Sequence, residues 1–270
     1  MKPEWKKTKT IYWKDELNDD FNRLDGIKES PDLKKNYHYI HKNPFRIIWD
    51  VFLYYVIAKP ILGGYCLFHG IRWKNKKNLK RLRGRGAFLY ANHVAISDVF
   101  KFQSFIIHIT KVNIVGLSDA SSIPVARTIV KSFGYLPIPN HNDNANMLGL
   151  KKAVEHLVKK RREYILIYPE AHIWPYYTKI RDFKNVSFYY PAQCLAPVVP
   201  VVTTWRHVWY SKKPRQTVIF GRPIYPDKNA TINENRDYLA EECKKQMIHL
   251  ASSVKQVEYI KYIKVEDEAR

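Results

Sequence analysis

The sequence predicts one α/β domain with a mostly parallel or mixed sheet flanked by helices, preceded by an N-terminal addition. Segments of strand and helix character alternate from residue 86 onward, as expected of this fold class. The chain has 270 residues, of which 46% are hydrophobic, so it can bury a substantial core. One long apolar segment, residues 43–70, lies before the alternating part.

The alternating part begins with a predicted strand, GAFLYA at 86–91. A helix is expected after it, because the apolar residues fall at helical spacing at Val99, Phe102, Phe105, Ile106 and Ile109. The other predicted strands are KVNIVGL at 111–117, YLPI at 135–138, YILIYP at 164–169, APVVPVV at 196–202 and QTVIFG at 216–221. The other predicted helices lie at 122–131, 147–158 and 239–254.

The apolar segment at 43–70 contains two uninterrupted apolar runs, at 51–58 and 61–68, and each has 8 residues. A membrane-spanning helix needs roughly 20 such residues, and Pro60 is expected to end or kink the first helix. We therefore expect a helical pair that lies in the membrane interface. The run at 72–85, with 8 basic residues and no acidic one, would then rest on lipid phosphates. The alternative is a buried helix followed by a solvated basic loop.

The charge of the whole chain indicates an anionic partner. Its 46 Lys and Arg residues against 25 Asp and Glu residues give a net charge of +21. Anionic lipid surfaces, nucleic acid and phosphorylated small molecules all gain from a positive potential. The three cysteines, at 66, 194 and 243, are too few for a disulfide framework and favour a reducing, cytosolic setting. The N-terminus shows no pattern of a secretory signal.

The stretch LYANHVAISDVF at 89–100 places a histidine and an aspartate five positions apart, directly after a predicted strand. Positions five apart on a helix differ by about 140° in direction, so His93 and Asp98 meet only across a turn. With Asp98 in the first helical turn and Ser97 as its N-cap, the carboxylate reaches one imidazole nitrogen. The other nitrogen then serves as a general base. Alternatively, Asp98 only stabilises a helix N-terminus.

Further blocks follow at IYPEAHIWP (167–175), RDFKN (181–185) and the APVVPVV strand. The order of NHVAISD, YPEAH, a Phe-Lys pair and this strand resembles the glycerolipid acyltransferases, also called the lysophosphatidic acid acyltransferase family. The resemblance covers residues 86 to about 225. Its most specific part is the block of asparagine, histidine, four spacers and aspartate.

The resemblance implies a role for each matched residue. His93, oriented by Asp98, would deprotonate an acceptor hydroxyl that attacks the thioester of acyl-CoA or acyl carrier protein. Glu170 would lie near the acceptor, although it could instead be a strand-end carboxylate paired with a nearby lysine. Backbone N–H groups after His93 are expected to stabilise the oxyanion. The candidate substrate-binding residues are Asn92, Pro169, Glu170, Lys179, Arg181 and Lys184.

Two departures from the family pattern concern the acceptor. The usual block of glutamate, glycine, threonine and arginine ends here in Ile173, and an earlier family arginine falls near Asn140. Arginine grips phosphate with two parallel hydrogen bonds, so both losses predict weaker recognition of lysophosphatidic acid. Lys179, Arg181 and Lys184 would replace these contacts in part. Otherwise the acceptor is a lysophospholipid with a larger headgroup, a glycolipid or an acylated amino-acid lipid.

The resulting prediction is a membrane-associated O-acyltransferase of phospholipid biosynthesis or remodelling, attached to the cytoplasmic face. It comprises an N-terminal extension (1–43), the helical pair with the basic run (44–85) and an acyltransferase domain (86–270). Neither a cofactor nor a metal is expected, because His172 and Glu170 lack helix-face ligand spacing. The alternatives are a thioesterase or other hydrolase of the same fold and a non-catalytic basic membrane-binding protein. No nucleic-acid motif is present.

Overall fold

A central mixed sheet organises the computed structural model, which describes residues 9–21, 33–41, 43–104, 110–117, 131–140 and 142–265. The strands are β1 (Thr10–Trp13), β2 (Arg72–Lys74), β3 (Ala87–Ala91), β4 (Val112–Leu117), β5 (Tyr135–Ile138), β6 (Tyr164–Ile167), β7 (Val198–Val208), β8 (Ser211–Phe220) and β9 (Lys261–Lys264). Seven of them form the central sheet in the order β2-β8-β7-β3-β6-β4-β5. The other two, β1 and β9, pair in parallel as a separate small sheet.

The strand directions confirm the predicted α/β class. Strands β3 to β7 run parallel to one another, whereas β8 is antiparallel to β7 and β2 is parallel to β8. Every residue of β3 is buried, as expected of a parallel strand that is covered on both faces. Strand β3 lies between β6 and β7, so the segments that follow these three strands meet at one edge of the sheet.

Helices cover both faces of the sheet. The helices are α1 (Pro44–Phe52), α2 (Lys59–Phe68), α3 (Lys77–Lys80), α4 (Asn144–Lys159), α5 (Tyr189–Cys194) and α6 (Ile232–Ser252). On one face α4, α5 and α6 pack in one core cluster with residues of β3, β6 and β7. On the other face, Cys66 of α2 and Leu79 of α3 pack with the alternate residues of those strands.

In the described part of the predicted helix after β3, the chain forms two short 3₁₀ turns, Ile96–Val99 and Lys101–Gln103. Phe100 between them has φ −144°, which interrupts the helical path there. Phe105, Ile106 and Ile109 of the predicted apolar stripe lie outside the described residues, as does most of the predicted helix at 122–131. The predicted strands at 196–202 and 216–221 extend to 11 and 10 residues as β7 and β8.

The two predicted apolar helices, α1 and α2, are joined without a break by a π-helical segment, Leu53–Ala58. The expected interruption at Pro60 does not occur. The N–H of Lys59 bonds to the carbonyl of Tyr54, five residues back, and this wider turn relieves the clash that proline makes inside an α-helix. The combined helix, Pro44–Phe68, has 25 residues and is long and apolar enough to cross a membrane by length and composition.

Parts of the N-terminal extension pack on the α/β domain. The Tyr39 hydroxyl donates to the carbonyl of Pro137 at 3.1 Å, and the N–H of Tyr37 donates to the side-chain oxygen of Asn146 at 2.7 Å. Strand β1 pairs with β9 near the other end of the described chain. This pairing had no counterpart in the sequence-based prediction, because both strands are short and far apart in the chain.

Candidate active site

His93 and Asp98 meet across the turn that follows β3. The Nδ1 atom of His93 lies 3.1 Å from Oδ2 of Asp98, and the Asp98 side chain is fully buried. The N-cap position of the 3₁₀ turn is Ala95, so the expected cap at Ser97 is wrong. Ser97 instead accepts a hydrogen bond from Nε2 of Gln216 at 2.9 Å.

Asp98 is held as a carboxylate by donors on both of its oxygens. Besides His93, Oδ2 accepts the backbone N–H groups of Val94 and Ala95, each at 2.8 Å. The other oxygen, Oδ1, pairs with Nζ of Lys101. Burial raises the pKa of Asp98, but Lys101 and the His93 hydrogen bond outweigh it and hold this pKa below its usual value. Asp98 can therefore orient and stabilise an imidazolium.

Lys101 was not among the predicted site residues. Its side chain is fully buried, and Nζ donates to Oγ1 of Thr203 at 2.7 Å and to Oε1 of Gln216 at 3.1 Å. Burial lowers the pKa of Lys101, and the Asp98 carboxylate opposes this effect. The only local signal was a lysine three positions after Asp98 in an apolar stretch. Lysine is almost never fully buried unless paired.

The imidazole of His93 is fixed by an aromatic neighbour as well. The ring of Tyr168 stacks on it, with 4.2 Å between centroids and 18° between planes, and the Tyr168 hydroxyl donates to the carbonyl of Asp98 at 2.5 Å. Among the described residues, no group forms a hydrogen bond with Nε2 of His93. This nitrogen can accept a proton from a bound substrate.

Glu170 ties the second sequence block to the first. Its Oε2 accepts the backbone N–H of His93 at 3.1 Å, and its Oε1 accepts the backbone N–H of Arg181 at 3.0 Å. The guanidinium of Arg181 lies 3.3 Å from Oε2. Burial raises the pKa of Glu170, and Arg181 opposes this effect. The predicted alternative of a paired carboxylate thus describes its contacts, with Arg181 in place of a lysine.

Arg181 is enclosed by groups of the chain itself. Its Nη1 donates to the carbonyl of Glu16 at 3.2 Å, its Nη2 donates to the carbonyl of His172, and its guanidinium lies 4.8 Å from the ring centre of Trp174. The other two candidate phosphate ligands, Lys179 and Lys184, are exposed. Of the three cations proposed to replace the family arginines, these two are open to solvent.

Among the remaining predicted residues, Asn92 supports the site from within the sheet, whereas Asn140 lies at the surface. Asn92 pairs through its amide with the backbone of Thr203 in β7, with bonds of 3.1 and 2.7 Å. Pro169 is half-buried between β6 and Glu170, whereas Asn140 is exposed. Asn92 therefore joins β3 to β7 at the site.

Ala171 occupies a backbone conformation that favours glycine. Its φ is +61°, and left-handed backbone costs a residue with a Cβ about 1 kcal/mol or more. The family usually has glycine at this position. Glycine would adopt the φ of Ala171 without this strain.

A cavity of about 630 Å³ lies against the turn between His93 and Asp98, and the lining comes from the residues of that turn rather than from the two side chains of the dyad. The turn at 94–97 forms one wall of the cavity. Aromatic and basic side chains from other elements line the rest of it, including Tyr65, Tyr176, Trp205, Lys213 and Arg215. The described residues contain no group of three or more His, Cys, Asp or Glu side chains that could hold a metal ion.

Comparison with known proteins identifies the family. The profile described as Acyltransferase matches residues 70–204, half of the 270-residue chain. The chain belongs to the acyltransferase family. The match includes His93, Asp98 and Glu170, together with most of the central sheet. Five of the sheet's strands, β2 to β6, lie wholly within it.

The solved structures similar to this acyltransferase include the 1-acyl-sn-glycerophosphate (LPA) acyltransferase PlsC from Thermotoga maritima. The two share 15% sequence identity with a TM-score of 0.49, over 78% of this chain and 99% of the other. A search of curated proteins found no match.

Proposed function

We propose that this acyltransferase moves a fatty acyl group from the thioester of acyl-CoA or acyl carrier protein to a hydroxyl of a lysophospholipid or related lipid. The observation that carries the proposal is the His93–Asp98 pair, 3.1 Å apart, beside a cavity of about 630 Å³. Nε2 of His93 takes the proton of the acceptor hydroxyl while its oxygen attacks the thioester carbonyl. The tetrahedral intermediate then collapses, the C–S bond breaks, and the imidazolium returns the proton to the leaving thiolate.

The developing oxyanion needs donors that are not already engaged. The N–H groups of Val94 and Ala95 bind Asp98. Those of Ile96 and Ser97 come next in the turn, and neither has an acceptor among the described residues. We assign the oxyanion to these two N–H groups, because both residues line the cavity.

The lining of the cavity supports a thioester donor with a phosphorylated carrier. Lys213 and Arg215 offer positive charge, while Tyr176 and Trp205 offer flat apolar faces. Both CoA and the phosphopantetheine arm of a carrier protein combine phosphate with an uncharged chain. The donor is a co-substrate in this proposal, so no resident cofactor takes part.

The acceptor is proposed to be a lysolipid other than lysophosphatidic acid. Ile173 and Asn140 stand where the family carries phosphate-binding arginines, and Arg181 is already held by Glu170 and two backbone carbonyls. Lys179 and Lys184 are exposed cations that can contact a headgroup without the two-pronged grip of arginine.

Attachment to the membrane is proposed to be monotopic, through the helix Pro44–Phe68 and the basic run at 72–85, on the cytoplasmic face. One side of this helix packs on the domain near both of its ends. The Asp50 carboxylate accepts from Ser132 at 2.6 Å, and the Cys66 thiol contacts the carbonyl of Lys101 at 4.0 Å. A helix covered by protein in this way can present only its other side to lipid.

The test measures thiol release from acyl-CoA and from acyl carrier protein, with and without a panel of lysolipids, by the purified chain in detergent. Release that requires a lysolipid and disappears in His93→Ala supports the proposal. Equal release without any acceptor would identify a thioesterase. No release under any condition, with the chain folded, would leave a membrane-binding protein.

A further inference from the structure

Two buried carboxylates flank His93, and each is paired with its own buried cation. Asp98 pairs with Lys101, and Glu170, which accepts the N–H of His93, pairs with Arg181 at 3.3 Å. All four of these side chains are fully buried or nearly so. An uncompensated carboxylate beside a histidine stabilises the imidazolium and keeps the base protonated. The paired cations oppose that attraction.

We propose that Lys101 is a positioning residue: its buried ammonium offsets the charge of Asp98, so that removing it strengthens the attraction between Asp98 and a protonated His93. Lys101 is fully buried and cannot touch a substrate, so it acts through Asp98. The inference rests on the proposed role of His93 as the general base.

The surroundings of Lys101 support a role beyond packing. Besides Asp98, Nζ has two neutral acceptors, Thr203 in β7 and Gln216 in β8, and it lies 5.2 Å from the ring centre of Phe102. The Cys66 thiol contacts the backbone carbonyl of Lys101. Asp98 is the one carboxylate bonded to Nζ among the described residues.

The second acceptor also connects this ion pair to the cavity. Gln216 accepts from Lys101 through Oε1, donates to Ser97 through Nε2 at 2.9 Å, and lines the cavity itself. Ser97 belongs to the turn that carries the proposed oxyanion donors. One network therefore orients Asp98 and the substrate-facing turn together.

The test follows the titration of the His93 ring by NMR on the full chain with ¹³C-labelled histidine, with the signal assigned by its loss in His93→Gln. Lys101→Met removes the charge at similar length. We expect the midpoint of the His93 titration to rise by about one pH unit or more, because Asp98 then attracts the imidazolium without opposition. The acidic limb of the pH–rate profile should rise with it.

The matched control is Thr203→Val, which removes a neutral partner of the same lysine and keeps the charge. Its titration midpoint should stay near that of the native chain. A folded Lys101→Met variant with an unchanged or lowered midpoint would overturn the proposal. So would an equal rise in Thr203→Val, which would make the network purely structural.

If Lys101→Met does not fold, Asp98→Asn is compared with Asp98→Asn/Lys101→Met, since removing both charges of a buried pair is commonly tolerated. The double variant should titrate at the higher pH, and equal midpoints would overturn the proposal. Because the titration needs no acceptor lipid, its result is independent of turnover. If the Lys101→Met midpoint rises as expected but the native chain transfers no acyl group, the result counts against the proposed function and not against the role of Lys101.

Discussion

At the scale of single residues, the site depends on how the two oxygens of Asp98 are shared. Oδ2 receives His93 and two backbone N–H groups, while Oδ1 receives Lys101. This division lets one carboxylate order the turn and orient the imidazole at the same time. A carboxylate that only stabilised a helix terminus would need no lysine.

Asp98→Asn should be severe for both activity and stability. The amide cannot stabilise the imidazolium and favours the wrong tautomer, which costs about 10⁴-fold in the analogous serine triad. It also leaves Lys101 buried without its charge partner, at about 3 kcal/mol or more. Acyl-transfer rates measure the loss of activity and urea unfolding measures the loss of stability, each in Asp98→Asn against the native chain. A mild effect on turnover would reduce Asp98 to a helix-capping residue.

The stability loss in Asp98→Asn should depend on pH. The folded protein holds the pKa of Asp98 below its usual value, so the carboxylate contributes stability that is present above the unfolded pKa and is lost as pH falls through the folded pKa. The difference in unfolding free energy from the native chain should therefore be largest near pH 7 and shrink in acid below about pH 4. A constant difference would mean that the charge of Asp98 is not what stabilises the fold.

Ala171→Gly should leave the melting temperature unchanged or raise it. Relief of the strained φ of +61° gains about 1 kcal/mol, and the added freedom of the unfolded chain opposes it by up to a similar amount. Ala240→Gly, inside helix α6, is the control and should destabilise by about 1 kcal/mol. Calorimetry on the two variants measures the contrast. A clear drop in Ala171→Gly would show that the Cβ contributes packing.

At the scale of elements, the apolar helix Pro44–Phe68 has two different sides. Tyr54 and Cys66 are fully buried against the domain, and the Tyr54 hydroxyl accepts the N–H of Val112 at 3.0 Å. The opposite side exposes large apolar residues that water disfavours, including Phe45, Ile48, Val56, Ile61, Leu67 and Phe68. An apolar patch of this kind marks an interaction surface.

Replacing Ile48 and Phe68 together with Asp should release the protein from anionic vesicles in a flotation assay. Both side chains are exposed, so the fold is retained while the apolar contribution to membrane binding falls. Val186→Asp is the control and should keep binding, because Val186 is 70% exposed and its 3₁₀ turn packs through Phe188 on the sheet face opposite to that of Cys66. For the native chain, complete release by high salt alone would show that the helix makes no apolar contact with the membrane.

At the scale of the whole molecule, residues near the N-terminus pack against the segment 167–185, which contains Glu170, Trp174 and Arg181. Strand β1 pairs with β9, the carbonyl of Glu16 binds Arg181, and the carbonyl of Asp19 accepts from the Trp174 indole at 2.8 Å. Segments far apart in sequence therefore surround the loop that the family uses near its acceptor. In this arrangement the guanidinium of Arg181 binds Glu170 and two backbone carbonyls of the chain.

Ile173→Arg should shift acceptor preference toward lysophosphatidic acid. An added arginine contributes up to about 1.5 to 3 kcal/mol through a charged hydrogen bond to the phosphate. The measurement is kcat/KM for lysophosphatidic acid against lysophosphatidylcholine, in the native chain and the variant. Ile173→Met is the control for bulk and should not shift the ratio. If the native chain already prefers lysophosphatidic acid, alanine variants of Lys179 and Lys184 should raise its KM selectively.

The sequence by itself determined the fold class, the positions of the sheet's main strands and the meeting of His93 with Asp98. These depend on short-range patterns: apolar runs of strand length, helical spacing, and a five-residue separation that can close across a turn. The residue blocks also pointed to the family that the profile match establishes. Each of these patterns lies within a short stretch of the chain, and the family resemblance adds only the order of such stretches.

Only the tertiary structure decided which charged side chains pair and which distant segments, such as β1 and β9, lie together. Lys101 binds Thr203 and Gln216, which are 102 and 115 positions away, and Arg181 reaches Glu16 across 165 positions. Lys101 is buried where β7 and β8 supply its two neutral partners, and Arg181 is enclosed by Glu16, His172 and Trp174. The continuity of the apolar helix through Pro60 likewise depends on a π turn that composition does not indicate. Burial and long-range pairing are properties of the assembled sheet, so no local pattern could have supplied them.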